Sequence, residues 1–212
     1  MPAASTRAAS PTREAAASGR RARTVARVLL KIAYPVVILA FWRIGSPRFI
    51  GLALLVMLWL QRWIGAGSAA ALLARPTRLE WAVALVMSSL SAAIAVTDSE
   101  TLLRAYPVAV NAGLLVAFGA TLRGGGPSMI EKFARVRRPD LDARAIRHTR
   151  RVTQVWCAFF AVNGAVSGAC ALWGSRAQWA LYNGVVTYLL IGVLIVAEIA
   201  WRHAFVLRRT PH

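Results

Sequence analysis

Apolar residues in this 212-residue chain are collected into six blocks, and the charged residues fall between them. The blocks cover residues 28–42, 49–60, 81–96, 106–122, 152–173 and 179–199. Because a lipid-spanning helix needs about 20 mostly apolar residues, the pattern predicts an all-α, polytopic transmembrane bundle of about six helices. The first two blocks are short and Lys31 interrupts the first, so they either span the bilayer or form a re-entrant hairpin.

The long hydrophilic segment at 123–151 carries a helical pattern of its own. Ser128 and Glu131 fit the S-x-x-E capping box that begins a helix. Apolar and basic residues then occupy opposite faces, with Met129, Ile130, Phe133 and Val136 on one and Lys132, Arg135, Arg137 and Arg138 on the other. This predicts a basic amphipathic helix, ended by "RPDLD". Asp140 or Asp142 is expected to cap a second helix that carries four arginines into the fifth block, namely Arg144, Arg147, Arg150 and Arg151.

The positive charges lie mainly on one side of the predicted bundle. Of the 26 Lys and Arg residues, 21 fall in the 1–27 tail, the 61–80 loop, the 123–151 loop and the 202–212 tail. Four fall in the loops on the other side, and Lys31 lies inside the first block. By the positive-inside rule, both termini and the arginine-rich loop are cytoplasmic. Six tryptophans cluster at block ends as expected interfacial anchors, at positions 42, 63, 81, 173, 179 and 201.

A net charge of +18 and a pI near 11.8 would also fit a nucleic-acid-binding protein. No aromatic-basic strand or helix-turn-helix pattern supports that class, and topology explains the same charge, so no nucleic-acid partner is expected. Cys157 and Cys170 are 13 residues apart on one predicted helix, about 20 Å, which is too far for a disulfide. No histidine lies near them in sequence, so neither a metal site nor a cofactor is expected.

The termini are predicted to lie outside the bundle. Residues 1–27 are Ala, Ser and Arg with one acid, Glu14, and they lack the apolar surface needed to fold. The composition fits either a disordered, solvated cytoplasmic tail or an organelle transit peptide. Residues 202–212 form a short cytoplasmic tail, and the domain plan places helices one to four at 28–122 and helices five and six at 152–201.

Polar residues within the predicted spans are few and uncharged. Asn111, Asn163 and Asn183 stand out, and they serve either helix–helix hydrogen bonding or a substrate pocket. Proton pumps and ion-coupled carriers usually keep an ionisable group at depth, which is not seen in these blocks. Gly164 and Gly168 form a small-residue face, and Gly168 is expected to meet Gly184 across the hairpin that "GSRAQ" makes. A weak echo ("AYPV" at 33 and 105, "RLEWA" against "RAQWA") allows two inverted halves.

Three interpretations of the arginine-rich loop remain open. The loop is a topology anchor lying on anionic headgroups, a docking face for an acidic partner, or a catalytic segment. Docking would use the loop arginines, namely Arg135, Arg137, Arg138, Arg144, Arg147, Arg150 and Arg151. Catalysis would need His148 paired with Asp140 or Asp142, and nothing in their spacing brings them together.

Longer motifs resemble a known family. They are "PSMIEKFAR", "PDL", "HTRRVTQVWCAFFAVNG" and "WALYNGVVTYLLIGVLIVAEIAWR", all within residues 126–202. These stretches resemble small bacterial inner-membrane proteins encoded among genes for aryl polyene (xanthomonadin-type) pigment synthesis. The resemblance implies the company of ketosynthases, dehydratases, an acyl carrier protein, an acyltransferase and a lipid-type exporter. It draws attention to certain positions without assigning roles: Ser128, Glu131, Arg150, Arg151, Gln154, Trp156, Asn163, Tyr182 and Asn183.

Two functional hypotheses follow. In the first, the protein is a membrane scaffold or accessory protein for polyene or fatty-acid-like synthesis, and its basic loop holds an acidic acyl carrier protein or a ketosynthase at the bilayer. In the second, it is a transporter or flippase component for a lipid-like intermediate. A membrane acyltransferase would ordinarily show a histidine or acid motif near the membrane surface, and none is recognised, so we expect binding and no catalytic residues.

Overall fold

The computed structural model describes residues 36, 39, 46–66 and 78–202 of the protein, and all regular structure within them is helical. Six helices occur in these ranges. They are α1 (Pro47–Ala66), α2 (Arg78–Thr97), α3 (Glu100–Arg123), α4 (Met129–Arg137), α5 (Ala143–Trp173) and α6 (Arg176–Trp201). The all-α prediction is confirmed for the described part of the chain.

The helices extend the predicted apolar blocks at their polar ends. α3 begins at Glu100, six residues before its block, and α5 begins at Ala143, nine residues before its block. Side chains cap both starts, because Leu102 donates its amide to the Ser99 hydroxyl at 3.3 Å and Ala145 donates its amide to the Asp142 carboxylate at 2.7 Å. Asp142 is therefore the predicted cap, and the second loop helix continues unbroken into the fifth block. The 1–27 tail, the first block apart from residues 36 and 39, and residues 203–212 lie outside the described residues.

Three helices are long and apolar enough to cross a membrane, judged by length and composition: α3, α5 and α6. α5 runs antiparallel to both α3 and α6. Arg104 near the start of α3 donates to the Gly174 carbonyl beyond the end of α5 at 2.9 Å. At the opposite end, Arg150 of α5 donates to the Leu122 carbonyl of α3 at 2.6 Å. α2 adds a shorter apolar stretch, Trp81–Thr97.

α1 and α2 form a close antiparallel pair beside α3. At Gly51 an added Cβ would lie 2.7 Å from the Ala95 amide nitrogen and 2.8 Å from the Ser91 carbonyl, so the two backbones meet where only glycine fits. Asp98, in the turn between α2 and α3, has a left-handed φ of 52°. Its carboxylate accepts from the Arg48 amide at 2.6 Å, which fastens this turn to the start of α1.

The buried core lies between α1, α2, α3 and the start of α6. Its members are mainly aliphatic, with Trp179 added from α6. Trp179 is predicted to be an exposed interfacial anchor. Its ring is instead fully buried, and its Nε1 donates to the Arg104 carbonyl at 3.1 Å. Trp63, Trp81, Trp173 and Trp201 are exposed, as interfacial anchors are. Trp42 lies outside the described residues.

Candidate functional site

The arginine-rich end is built around α4, whose start is tied to two other helices. The Met129 amide donates to the Thr121 hydroxyl of α3 at 3.0 Å, and the Ile130 amide donates to the Thr153 hydroxyl of α5 at 3.3 Å. Those amides are orphan donors at any helix start, and hydroxyl acceptors satisfy them here. Each threonine hydroxyl in turn donates to a backbone carbonyl of its own helix, Thr121 to Phe118 and Thr153 to Thr149. α4 is therefore held to α3 and α5 by directed hydrogen bonds.

Glu131 completes this attachment from within α4. Its carboxylate accepts from the Ser128 amide at 3.3 Å, which is the reciprocal half of a capping box. Both residues are buried, so the predicted capping pair lies in the interface under α4. Glu131 also accepts two bonds from the Arg135 guanidinium, at 2.9 and 2.7 Å. One predicted docking arginine is thus paired within its own helix.

The other predicted docking arginines differ in their contacts. Arg138, Arg147 and Arg151 are exposed, while Arg150 is exposed but bonded to Leu122 of α3. Arg144 is exposed and makes a contact of its own. The side chain of Arg137 lies outside the described residues. On the apolar face, Met129 and Ile130 are half-buried, whereas Phe133 and Val136 are 61% and 68% exposed.

A second polar region lies deep between α3, α5 and α6, and it contains the three predicted asparagines. Asn163 of α5 donates to the Asn111 carbonyl oxygen at 3.1 Å, and Asn111 donates to the Pro107 backbone carbonyl at 2.8 Å. The Asn163 oxygen accepts from the Tyr182 hydroxyl at 2.9 Å and from the Thr187 hydroxyl at 3.2 Å. All three asparagines are buried. We call Asn111, Asn163, Ser167, Tyr182, Asn183 and Thr187 the amide cluster.

Asn183 forms the other half of the amide cluster. Its side-chain oxygen accepts from the Ser167 hydroxyl of α5 at 2.8 Å, and its amide donates to the Trp179 carbonyl at 2.9 Å. Asn111 and Asn183 each donate to a backbone carbonyl of their own helix. All three asparagines also bond to a side chain of another helix. Interhelical hydrogen bonds between such side chains are an established source of helix association in apolar surroundings.

A π-helical turn explains how two hydroxyls of α6 reach the same oxygen. Residues five apart lie about 140° apart around an α-helix, so Tyr182 and Thr187 would point to different sides. α6 widens to a π-helix over Tyr182–Val186, and the Thr187 amide donates to the Tyr182 carbonyl five residues back. This places residues 182 and 187 nearly in register, and both side chains meet Asn163. The sequence pattern predicts neither this turn nor the roles of Thr121 and Thr153 at the start of α4.

The small-residue face of α5 packs on α3. A Cβ at Gly164 would lie 3.1 Å from the Asn111 Cβ, and one at Gly168 would lie 3.8 Å from a methyl group of Val108. The side of Gly168 that a Cβ would occupy is directed at Val108 of α3. Gly184 is a buried residue of the π-turn in α6, and its meeting with Gly168 stays a prediction. The glycines let α3 approach closely enough for Asn111 and Asn163 to bond.

A cavity of about 650 Å³ borders the amide cluster. Its walls are mostly aliphatic and aromatic side chains of α1, α2, α3, α5 and α6, and Asn111, Asn163, Asn183 and Thr187 contribute polar groups. Gln61 and Arg62 line its α1 side, and the Arg62 guanidinium lies 4.4 Å from the centre of the Trp81 ring. The volume falls within the range of about 300–1,000 Å³ that is usual for small-molecule sites.

The end opposite α4 is held by ion pairs. Glu100 accepts from Arg176 across the α3–α6 interface and from Arg104 at 3.0 Å within α3. These charges connect the beginnings of α3 and α6. The two polar ends of the bundle therefore differ, since one is fastened by carboxylate–guanidinium pairs and the other by hydroxyl groups under an arginine-rich helix.

His148 does not pair with either loop aspartate. Its Nε2 lies 3.4 Å from the Glu198 carboxylate of α6, while Asp142 caps α5. Within the described ranges no cluster of His, Cys, Asp and Glu suited to a metal ion occurs. Cys157 and Cys170 are free thiols. The contacts of His148 thus lead away from the loop and toward the end of α6.

Searches against protein-family models, curated proteins and solved structures return no match for this chain.

Proposed function

We propose that this chain is a multi-pass protein of the bacterial inner membrane, with both termini in the cytoplasm, that acts as a scaffold for aryl polyene or fatty-acid-like synthesis. In this proposal the first two apolar blocks join the later helices to make six spans. The sequence resemblance described above and the 21-to-4 division of basic residues support the setting. The working surface is the cytoplasmic basic face, which we define as Lys132, Arg135, Arg138, Arg144, Arg147, Arg150 and Arg151.

The observation that carries this proposal is the attachment of α4 to the ends of α3 and α5. Three consecutive amides at the start of α4 are satisfied by Glu131, Thr121 and Thr153. A basic loop that only had to lie on lipid would not need such directed fixation. A fixed helix loses little conformational entropy when a partner binds, and this favours specific docking.

The expected occupant is an acidic protein of small size, for which an acyl carrier protein is the natural choice. Arginine guanidinium groups bind carboxylates and phosphates through paired, charge-assisted hydrogen bonds. The exposed Phe133 and Val136 lie on α4 beside those charges and supply apolar area to the same interface. Complementary charge also speeds association, and it makes binding depend on ionic strength.

The test is charge reversal at two exposed arginines of the cytoplasmic basic face, Arg138→Glu and Arg147→Glu together. Binding of purified acidic carrier protein to the detergent-solubilised protein is expected to fall roughly tenfold or more. Arg48→Glu is the matched control, because Arg48 is exposed at the opposite end of the bundle. Equal binding by the double variant and the control would overturn the docking proposal, provided that membrane fractionation shows normal insertion of both.

A second function is favoured by the cavity beside the amide cluster: transport or flipping of a lipid-like intermediate. Its apolar walls suit a hydrocarbon or polyene chain, and its amide groups suit a single polar substituent. Ala117→Phe would fill the cavity, and Ala120→Phe is its control because Ala120 faces outward one turn further along α3. If the cavity carries the chain, only Ala117→Phe leaves intermediate in the inner membrane while synthesis continues. Normal export by Ala117→Phe would exclude this function.

A further inference from the structure

A smaller cavity of about 320 Å³ occupies the cleft between the first half of α5 and the second half of α6. It shares no lining residue with the larger cavity. The aromatic residues Phe118, Trp156, Phe159 and Phe160 pack together with ring centres 5.2–6.5 Å apart, and they separate the two spaces. The cleft is therefore distinct from the larger cavity, and Arg151 is the one residue that it shares with the cytoplasmic basic face.

The walls of the cleft are apolar and open to the surroundings of the bundle. Val152 and Val155 line it from α5, and Leu194 and Ala197 line it from α6. No residue of the α6 segment Thr187–Trp201 is buried, so neighbouring helices cover this half of α6 only in part. A groove of this shape, facing lipid, accommodates one hydrocarbon chain.

The mouth of the cleft carries charged groups from both helices. Arg151 and His148 line it from α5, and Glu198 lines it from α6. The Glu198 carboxylate lies 3.4 Å from the His148 Nε2 and 3.8 Å from the Arg202 Nε. The guanidinium groups of Arg151 and Arg202 outnumber the single carboxylate of Glu198, so the mouth is net positive.

We propose that this cleft binds one anionic phospholipid of the surrounding membrane, with its phosphate at Arg151 and His148 and an acyl chain along Val152, Val155 and Leu194. Basic pockets between transmembrane helices at the cytoplasmic surface are a known way of holding anionic headgroups. A free phosphate would make no use of the apolar walls. A protein segment would need more room than about 320 Å³ provides.

Binding is tested by native mass spectrometry of the full chain in detergent, titrated with phosphatidylglycerol and with phosphatidylcholine of the same acyl chains. Arg151→Gln is expected to weaken phosphatidylglycerol binding about fivefold. Glu198→Gln keeps a polar group beside His148 but removes the negative charge, so it is expected to strengthen binding by a similar factor. Arg123→Gln, which removes an exposed charge at the end of α3, is the control and should leave both lipids unchanged.

Ala197→Trp provides an independent check, because Ala197 is exposed and its enlargement fills the groove without disturbing buried residues. It should lower the binding of both lipids. Competition by glycerol phosphate at the concentration of the lipid would show a headgroup-only anion site and would overturn the proposal. So would equal effects of Arg151→Gln and Arg123→Gln, or weaker binding by Glu198→Gln. Docking of the acidic carrier is measured separately and is expected to survive Ala197→Trp.

Discussion

The amide cluster and the arginine-rich end contain comparable numbers of hydrogen bonds between helices, yet they stabilise the protein in different ways. The amide cluster is neutral and its asparagines are buried, so a buried group that loses its hydrogen-bond partner carries an uncompensated desolvation cost. At the arginine-rich end, the hydroxyl groups of Thr121 and Thr153 hold the start of α4, while the guanidinium groups of Arg138 and Arg147 remain exposed. Burial thus determines the cost of a broken bond, and exposure leaves charges available for a partner.

The amide cluster is expected to stabilise the helix bundle, and the arginine-rich end is expected to bind a partner. The amide cluster joins α3, α5 and α6 at a depth where hydrogen bonds between helices contribute about 0.6 kcal/mol on average and up to about 1.7 kcal/mol. At the arginine-rich end, the ion pair of Glu131 with Arg135 lies within α4, so it does not join α3, α5 and α6 to one another. Substitutions in the two regions should therefore separate stability from binding.

The largest effect is expected for Asn163→Leu. This change removes the shared partner of Asn111, Tyr182 and Thr187, so one buried and two half-buried side chains each lose a hydrogen bond. We expect a loss of about 1–3 kcal/mol in the free energy of unfolding, measured in mixed detergent micelles. Val162→Leu, on the exposed side of the same helix, should cost much less. Similar losses in the two variants would mean that the amide cluster does not hold the bundle.

A smaller and more local effect is expected for Thr153→Val, which keeps the shape of the side chain but removes the acceptor for the Ile130 amide. Losing one cap at a helix start costs about 1 kcal/mol, and the loss should appear as faster amide hydrogen exchange in α4. Thr149→Val is the matched control, because its hydroxyl bonds only to the Ile146 carbonyl of its own helix. If α4 exchanges equally in both variants, Thr153 is not what anchors it.

The smallest effect is expected for Arg135→Gln. Arg135 is paired with Glu131 four residues earlier, and its side chain is 41% exposed. Such pairs contribute about 0.3–0.5 kcal/mol, so the thermal midpoint should fall slightly at low salt. At about 1 M salt, where charges are screened beyond roughly 3 Å, the difference from the parent should shrink further. A large loss that resists salt would place Arg135 among the structural residues.

Much of this architecture is predictable from hydrophobic periodicity and charge. The pattern around Ser128, Glu131 and Asp142 predicts where α4 and α5 begin, since capping depends on neighbours in sequence. Which asparagines meet is not predictable in the same way. Asn111 reaches Asn163 because Gly164 admits α3, and Tyr182 joins them because α6 widens locally into a π-turn. Both features arise from packing between helices, which the hydrophobic periodicity of a single helix does not predict.

The partners of His148 and Trp179 are likewise not predictable from local sequence. The sequence places Trp179 at the end of an apolar block, where an interfacial tryptophan is expected, and His148 in the arginine-rich loop, where a pair with Asp140 or Asp142 is one interpretation. In the bundle, Trp179 is covered by α3 and bonds to Arg104, while His148 finds Glu198 fifty residues away. Partners at that distance in sequence follow from the antiparallel arrangement of α5 and α6, which local composition does not define.

The length of α5 has a mechanical consequence. At 31 residues it measures about 46 Å, whereas the hydrocarbon layer of a bilayer is about 30 Å thick. The excess, carrying Arg144 and Arg147, is rigidly continuous with the turns that bear Asn163 and Ser167. Because α5 is one unbroken helix, a partner that tilts the projecting turns also tilts the turns that bear Asn163 and Ser167. Binding at the arginine-rich end is therefore mechanically coupled to the middle of the bundle.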